Sequence, residues 1–213
     1  LTASGNIKIK NDLGQIIKGD KLRLNKIDKI HTLTGNVSFD DNLNNEILSE
    51  KLIINENKQE YIFEKNIILK DKINFLILKT DRIIFDRKNN IIISNNETLI
   101  KDNLNNIIKT KKFKFYTKKK HLIAHDVKIT DKESNIYEIK RINYDLKNKE
   151  IYGKDVQINS NNTLLTKNHL ARSKSRSIVI NKDYSTLKKS VYTNCKKRDG
   201  CPPWLIVSED IVH

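Results

Sequence analysis

Gly35-Asn36-Val37-Ser38-Phe39 is one copy of a short phrase that returns along most of the chain. It stands earlier as Gly5-Asn6-Ile7-Lys8-Ile9 and later as Lys65-Asn66-Ile67-Ile68-Leu69, Asn96-Glu97-Thr98-Leu99-Ile100, His125-Asp126-Val127-Lys128-Ile129 and Lys154-Asp155-Val156-Gln157-Ile158, at steps of 29 to 31 residues. A second phrase keeps the same period: Asp20-Lys21-Leu22-Arg23-Leu24-Asn25, Glu50-Lys51-Leu52-Ile53-Ile54-Asn55 and Asp81-Arg82-Ile83-Ile84-Phe85-Asp86. Weaker copies follow at Lys112-Phe113-Lys114-Phe115, at Arg141-Ile142-Asn143-Tyr144-Asp145 and around His169-Leu170. Both phrases alternate apolar with other residues at period two, as half-buried strands do. The Asn/Asp-rich clusters between them, such as Asp40 to Asn45 and Asp102 to Asn106, are turn formers. Each repeat therefore reads as two or three short strands.

Such units cannot bury their apolar stripes alone, and stacking them gives a continuous, elongated, antiparallel all-β sheet pair. One interior would be lined by Ile7, Ile9, Leu22, Leu24, Val37, Phe39, Leu52, Ile54, Ile67, Leu69, Ile83, Phe85, Phe113, Phe115, Val127, Ile129, Ile142, Tyr144, Val156 and Ile158. Periodicity alone leaves two fates for it: a core filled by its own side chains, or a trough open to acyl chains. No segment keeps a 3.6-residue apolar period over three turns, so a helical solenoid is disfavoured. Proline is absent before Pro202, as hydrogen-bonded ladders require.

The chain has 213 residues, no methionine, six glycines and two prolines. It reads as a segment of something longer, and collagen-like or Pro/Gly low-complexity classes are excluded. No apolar run approaches the ~18–20 residues of a membrane helix. Net charge is +15, with 34 Lys and 7 Arg. That balance suits an anionic partner, whether nucleic acid, a membrane surface or a phosphorylated glycolipid. It also suits compositional drift, since Lys, Ile and Asn are what an A/T-rich genome encodes. Scarce Arg and evenly spread Lys argue against nucleic acid.

From residue 171 the repeat fades, which divides the chain into a repeat region (1–170) and a terminal junction (171–213). Ala171 to Ile180 reads as a linker-like turn into a strand, followed by a second strand at Thr186 to Cys195 and then a polar loop at Lys196 to Gly200. Both cysteines (Cys195, Cys201), both prolines and the one tryptophan, Trp204, lie within ten residues. The cysteines can close a short disulfide loop or pair beyond this sequence. Two thiolates with only His213 nearby do not make a zinc site, and the spacing is not that of a CxxC redox pair. Oxidised, structural cysteines imply an extracytoplasmic compartment.

With the tail in view, the repeat resembles the OstA-like repeat of the lipopolysaccharide transport proteins, shared by LptA, LptC and LptD. Val191-Tyr192-Thr193-Asn194-Cys195, Pro203-Trp204 and Asp210-Ile211-Val212-His213 are similar to the LptD junction just before its membrane barrel. The resemblance implies a V-shaped periplasmic β-jellyroll at the outer membrane of a Gram-negative cell. Its apolar groove would take lipopolysaccharide from an LptA-like bridge, docked by edge-strand stacking. It would pass the lipid to the barrel and an LptE-like lipoprotein, with no cofactor and no bond made or broken. The twenty alternating residues become candidate lipid contacts. The family's cysteine at the Cys195 position pairs with the barrel; Cys201 departs from that pattern, so Cys195–Cys201 pairing or pairing with a barrel cysteine both remain open. A soluble LptA-like bridge and a ligand-free structural β-solenoid are the alternatives.

The remaining motifs are weak. His121 and His125 are spaced for zinc on a helix, but the repeat register puts His125 at a turn position. Lys118-Lys119-Lys120 reads as a solvated turn. No Ser/His/Asp ordering, paired-carboxylate motif or phosphate-cradling glycine loop is present, so the chain reads as neither an enzyme nor a metal or nucleotide binder.

Overall fold

The computed structural model describes residues 1–11, 14–42, 44–73, 75–102, 105–160, 171–181, 184–195 and 204–212. Among these there are sixteen strands and no helix. They are β1 (Thr2–Lys10), β2 (Ile16–Asn25), β3 (Ile30–Asp40), β4 (Asn45–Asn55), β5 (Glu60–Asp71), β6 (Leu76–Asp86), β7 (Ile91–Ser94), β8 (Thr98–Lys101), β9 (Ile107–Thr110), β10 (Lys112–Tyr116), β11 (His121–Thr130), β12 (Ile136–Asp145), β13 (Glu150–Ser160), β14 (Ala171–Ile180), β15 (Ser185–Thr193) and β16 (Ile206–Val212). The fold is all-β, antiparallel and jellyroll-like, as the repeat predicts.

Two compact units divide the chain: Leu1–Asn103 with Lys114–Thr117, and Leu104–Phe113 with Lys118–His213. In the first, β1 to β6 pair in chain order, and β6 carries β7 on its second half and β8 on its first. In the second, β9 pairs with the end of β11, and β11 to β16 pair in chain order.

Most repeats turn out to hold two long strands rather than two or three short ones; Ile91 to Tyr116 holds four short strands, β7 to β10. The recurring phrases are only the second halves of those strands. Gly35-Asn36 lies in mid-strand, and both residues are left-handed, with φ of 77° and 46°. Gly5-Asn6 (92°, 30°) and Lys65-Asn66 (67°, 49°) repeat the geometry. In the second unit a single residue does so in β11, β13 and β15: Asp126, Asp155 and Lys189. In the first unit the register slips where these residues lie, between Thr34 and Val37 in β3 and between Glu64 and Ile67 in β5. A bulge of this kind bends a strand.

The bend explains the spacing of the buried residues. β2 buries Ile17, Gly19 and Leu22; β4 buries Ile47, Ser49 and Leu52; β6 buries Leu78, Thr80 and Ile83. A step of two is followed by a step of three. Two neighbouring residues, such as Asp20-Lys21 or Asp81-Arg82, then face outward together at the bend. Strict alternation would have turned the second halves of β2, β4 and β6 inside out. The acids of the second phrase fasten the bend: Asn36 Nδ2 donates to Asp20 Oδ2 at 2.8 Å, and Asn66 Nδ2 donates to Glu50.

Both hairpin ends are also periodic. Lys29, Gln59, Asn90, Lys120 and Lys149 close one set of turns with φ between 53° and 56°. These turns stack, Glu56 N donating to Lys29 O and Arg87 N to Gln59 O, each at 3.0 Å. At the other end Asx side chains hold the loops. Asp131 accepts from the Asn135 and Glu133 backbone N–H groups and from Asn135 Nδ2, all at 2.9 Å.

Three sequence-based expectations are corrected. Ala171 to Ile180 holds no linker-like turn: the whole segment is β14, with Ser173 and Ser175 turned inward and Lys174 and Arg176 outward. Its alternation is carried by serine, which apolar patterning does not register. His125 is not in a turn but inside β11, one residue before the bend at Asp126. Asn96 and Glu97 do not continue a strand; they lie in the break between β7 and β8, where Thr80, Ser94 and Thr98 join their hydroxyls. The copy around His169-Leu170 and the polar loop Lys196 to Gly200 lie outside the described residues.

Two outcomes follow. A Cβ at Gly35 would stand 2.5 Å from Asp20 Oδ2, in a backbone region that L-residues avoid. Gly35→Val should lose about 2 kcal/mol, seen as a lower urea midpoint. For Asp131, partial burial raises the carboxyl pKa, but the hydrogen bonds from Asn135, Glu133 and Tyr137 outweigh it and leave the pKa below 3.8. A carboxyl lowered on folding stabilises above its unfolded pKa and stops doing so as pH falls through the folded value. Asp131→Asn should therefore destabilise near neutral pH, and the gap to wild type should close in urea titrations run progressively below pH 3.8.

Candidate functional site

Strand pairing assembles the inward residues of the first unit into three rows. One runs Leu22, Leu33, Leu52, Phe63, Ile83 across β2 to β6. A second, toward the stacked turns, runs Leu24, His31, Ile54, Tyr61, Phe85. The third lies beyond the bend and runs Ile9, Ile17, Phe39, Ile47, Leu69, Leu78 over β1 to β6. The rows on either side of the bend meet. Phe39 packs edge-on against Tyr61 and Phe63, both at 5.7 Å between ring centroids. The bend thus folds one sheet into two facing layers within the unit.

Burial falls off toward the stacked turns in β2, β4 and β6. Leu33, Leu52, Phe63 and Ile83 are fully buried at 0% exposure. One step toward the turns, Leu24, Ile54 and Phe85 are only half-buried. In the second unit Val127, Ile142 and Val156 are buried, whereas Ile129, Tyr144 and Ile158 are half-buried. In the first unit the interior stays closed beyond the bend, where Ile17, Phe39, Ile47 and Leu78 are buried, and it loosens toward the stacked turns at Leu24, Ile54 and Phe85, though not at Tyr61.

None of the twenty candidate lipid contacts is exposed. Leu22, Val37, Phe39, Leu52, Ile67, Ile83, Phe113, Val127, Ile142 and Val156 are buried. Ile7, Ile9, Leu24, Ile54, Leu69, Phe85, Phe115, Ile129, Tyr144 and Ile158 are half-buried. Phe115 belongs to the first unit and Phe113 to the second. What sequence reading missed is the inward residues before the bend: Ile17, Leu33, Ile47, Tyr61, Phe63, Leu78, Ile139 and Ile178. The step across the bend is four residues from Leu33 to Val37 and from Phe63 to Ile67, but three from Gly19 to Leu22 and from Ile139 to Ile142, and the step of three breaks the alternation being sought.

In the second unit the stripe changes character. One row runs Val127, Ile139, Val156 and then Ser175, Ser190, Ser208. Ser175 and Ser190 share a hydrogen bond at 2.8 Å. The adjacent row keeps apolar bulk through Ile142, Gly153 and Ile178; a Cβ on Gly153 would meet Ile178 Cγ2 at 2.7 Å.

Polar groups flank the turn-side row of the first unit. His31 Nε2 lies 2.8 Å from Glu56 Oε1. Arg87 stacks 4.6 Å above the Tyr61 ring while Nη1 donates to Tyr61 Oη at 3.0 Å. Shallow depressions outside the bend are lined by charged and amide side chains, among them Glu50, Lys65, Asn66 and Arg82. Among the described residues no group of three His, Cys, Asp or Glu side chains stands together as a metal site.

The junction folds back on itself. Tyr192 and Trp204 face each other with ring centroids 6.5 Å apart. Thr193 Oγ1 donates to Trp204 O at 3.0 Å, and Arg172 Nη2 donates to Cys195 O at 2.8 Å. The Cys195 thiol is buried, with Sγ 3.8 Å from Trp204 O. Cys201 lies outside the described residues, and with it the expected disulfide. β16 carries exposed Ile206, Val207 and Val212.

The gradient predicts unequal truncation effects. Phe63→Ala, at a site with no exposure, should cost about 3–5 kcal/mol. Phe85→Ala, at the half-buried edge, should cost well under half of that, both read from urea unfolding.

No family model matches the chain, and no curated protein matches it in sequence.

Proposed function

We propose that this chain is a lipopolysaccharide-binding β-segment of an outer-membrane assembly protein of the LptD kind. The observation that carries this reading is the set of in-register inward rows, tight at the bend and half-open toward the turns. Such a surface suits acyl chains: burying each CH₂ is worth ~0.8 kcal/mol, and neighbouring positions offer near-equal burial, so a chain can move without exposing its tails. The polar flank at His31 and Arg87 lies where a headgroup would meet the edge of the apolar stripe. In this reading the segment works at the periplasmic face of the outer membrane. It accepts lipid from an LptA-like bridge and delivers it to its barrel and an LptE-like lipoprotein, with no covalent step. Tyr192-Thr193-Asn194-Cys195 and Trp204, packed together in the junction, are the residues that favour the LptD kind over a soluble LptA-like bridge.

One observation favours a second reading, a structural β-solenoid without ligand: the contacts of Phe39 with Tyr61 and Phe63 fill the interior with the chain's own side chains. Photo-crosslinking amino acids separate the two. Placed at Phe85, Tyr144 and Ile158, they should capture lipopolysaccharide, while the outward Lys8 and Lys79 should not. Equal capture at inward and outward positions, or none at either, would favour the filled solenoid.

A further inference from the structure

At the bend of the second unit two outward rows of side chains run side by side. One contains Asp126, Lys140 and Asp155, positions that fall between directly paired neighbours. This row neutralises itself. Lys140 Nζ lies 2.7 Å from Asp126 Oδ1, and this hydrogen bond, the Asp126 charge and the nearby Asp155 charge raise the ammonium pKa.

The neighbouring row does not. Direct strand pairing sets His125 opposite Arg141 and Arg141 opposite Lys154. It continues through Ser177 to Lys188, and no acid enters until Asp210, 3.8 Å from Lys188. Lys111 N donates to His125 O at 3.2 Å, which brings Lys111 and Lys112 alongside. Arg141 and Lys154 are exposed and have no carboxylate in salt-bridge range among the described residues. Like charges directly opposite one another on paired strands destabilise a sheet. The first unit shows the compensated alternative. There Lys51 and Arg82 both stand opposite Glu64, at 2.9 Å and 3.6 Å. The His125 ring registers the imbalance: burial lowers its pKa most, and the charges of Lys112 and Arg141 lower it further against the opposing pull of Asp126.

We propose that the row centred on Arg141 and Lys154 is a binding site for a phosphate monoester group. Paired side chains on adjacent strands start about 5 Å apart at Cβ, so a guanidinium fork and an ammonium can close on one tetrahedral dianion. Arg supplies two parallel donors and Lys a mobile point charge. Asp126 is held by Lys140 and does not compete for Arg141. The site lies on the outer surface, so it stands whether or not the interior takes acyl chains.

The test is a titration of the ¹⁵N-labelled chain at low salt, at a pH where phosphate is the dianion. One arm uses inorganic phosphate. The other uses phosphatidylcholine vesicles carrying phosphatidic acid, read by co-sedimentation against pure phosphatidylcholine. Saturable amide shifts at His125, Arg141 and Lys154 with inorganic phosphate assign the site to the free group; binding to the phosphatidic acid vesicles alone assigns it to a lipid-borne one. In either case the R141Q/K154Q double variant should bind about tenfold or more weakly. The double variant K21Q/R82Q, in the first unit, should bind as wild type does. Phosphate should also raise the wild-type Tm more than sodium chloride of equal ionic strength, and that increment should vanish in R141Q/K154Q. No saturable response in either arm, or equal loss in both double variants, overturns the proposal.

Discussion

Everything in this molecule depends on how a β-strand can turn a corner without exchanging its faces. Side chains alternate, so a bent strand that stayed in strict register would bury its polar residues past the corner. Left-handed residues at mid-strand resolve this. Gly35-Asn36 and Lys65-Asn66 take two positive φ angles in succession, and Asp126 and Asp155 take one. At Asp126 and Asp155 two residues separate the buried ones, Ala124 from Val127 and Gly153 from Val156, and at the paired bends three do, Leu33 from Val37 and Phe63 from Ile67. Asn and Gly tolerate that region best, which is why they recur there. Lys65 occupies it without that advantage, held among the neighbouring bends.

The bends align because the turns at both strand ends keep the same period as the bends themselves. Asx side chains fix one set of loops, and backbone bonds from turn to turn fix the other. Inward residues are therefore carried into rows rather than scattered. A row of this kind gives a surface whose character hardly changes from strand to strand until the serines of β14 and β15 replace its apolar members. The outward residues of the bend inherit the same order, and so a pattern of charge chosen in one repeat has direct neighbours in the next.

Fold class, repeat length and half of the inner surface were legible in the sequence, because the second halves of the strands alternate cleanly: Val37 with Phe39, Ile83 with Phe85. The first halves were not. Ile17, Ile47 and Leu78 are buried, yet they stand out of phase with Leu22, Leu52 and Ile83 in the phrases that follow them. Phase is a property of the bend, and nothing in a period-two pattern announces a left-handed residue inside a strand. β14 escaped for a different reason, since its inward residues are hydroxyls. The basic row was hidden among 34 lysines. Only strand register separates Lys140, which faces acids, from Arg141, which does not.

Within each unit, almost every strand pairs with the strand before it and the strand after it in the chain. Contact order is then low for a β-protein, since no distant segments must find one another before the first hydrogen bonds form. Each closed hairpin presents a fresh edge for the next strand, so assembly can proceed by nearest-neighbour addition. Energetically the array approaches a one-dimensional lattice, in which stability accumulates as strand-to-strand interfaces. Losing a terminal strand removes one interface; breaking a central one removes two. Unfolding of such an array travels inward from an edge, and the first five residues of β1, at one edge among the described residues, are all exposed.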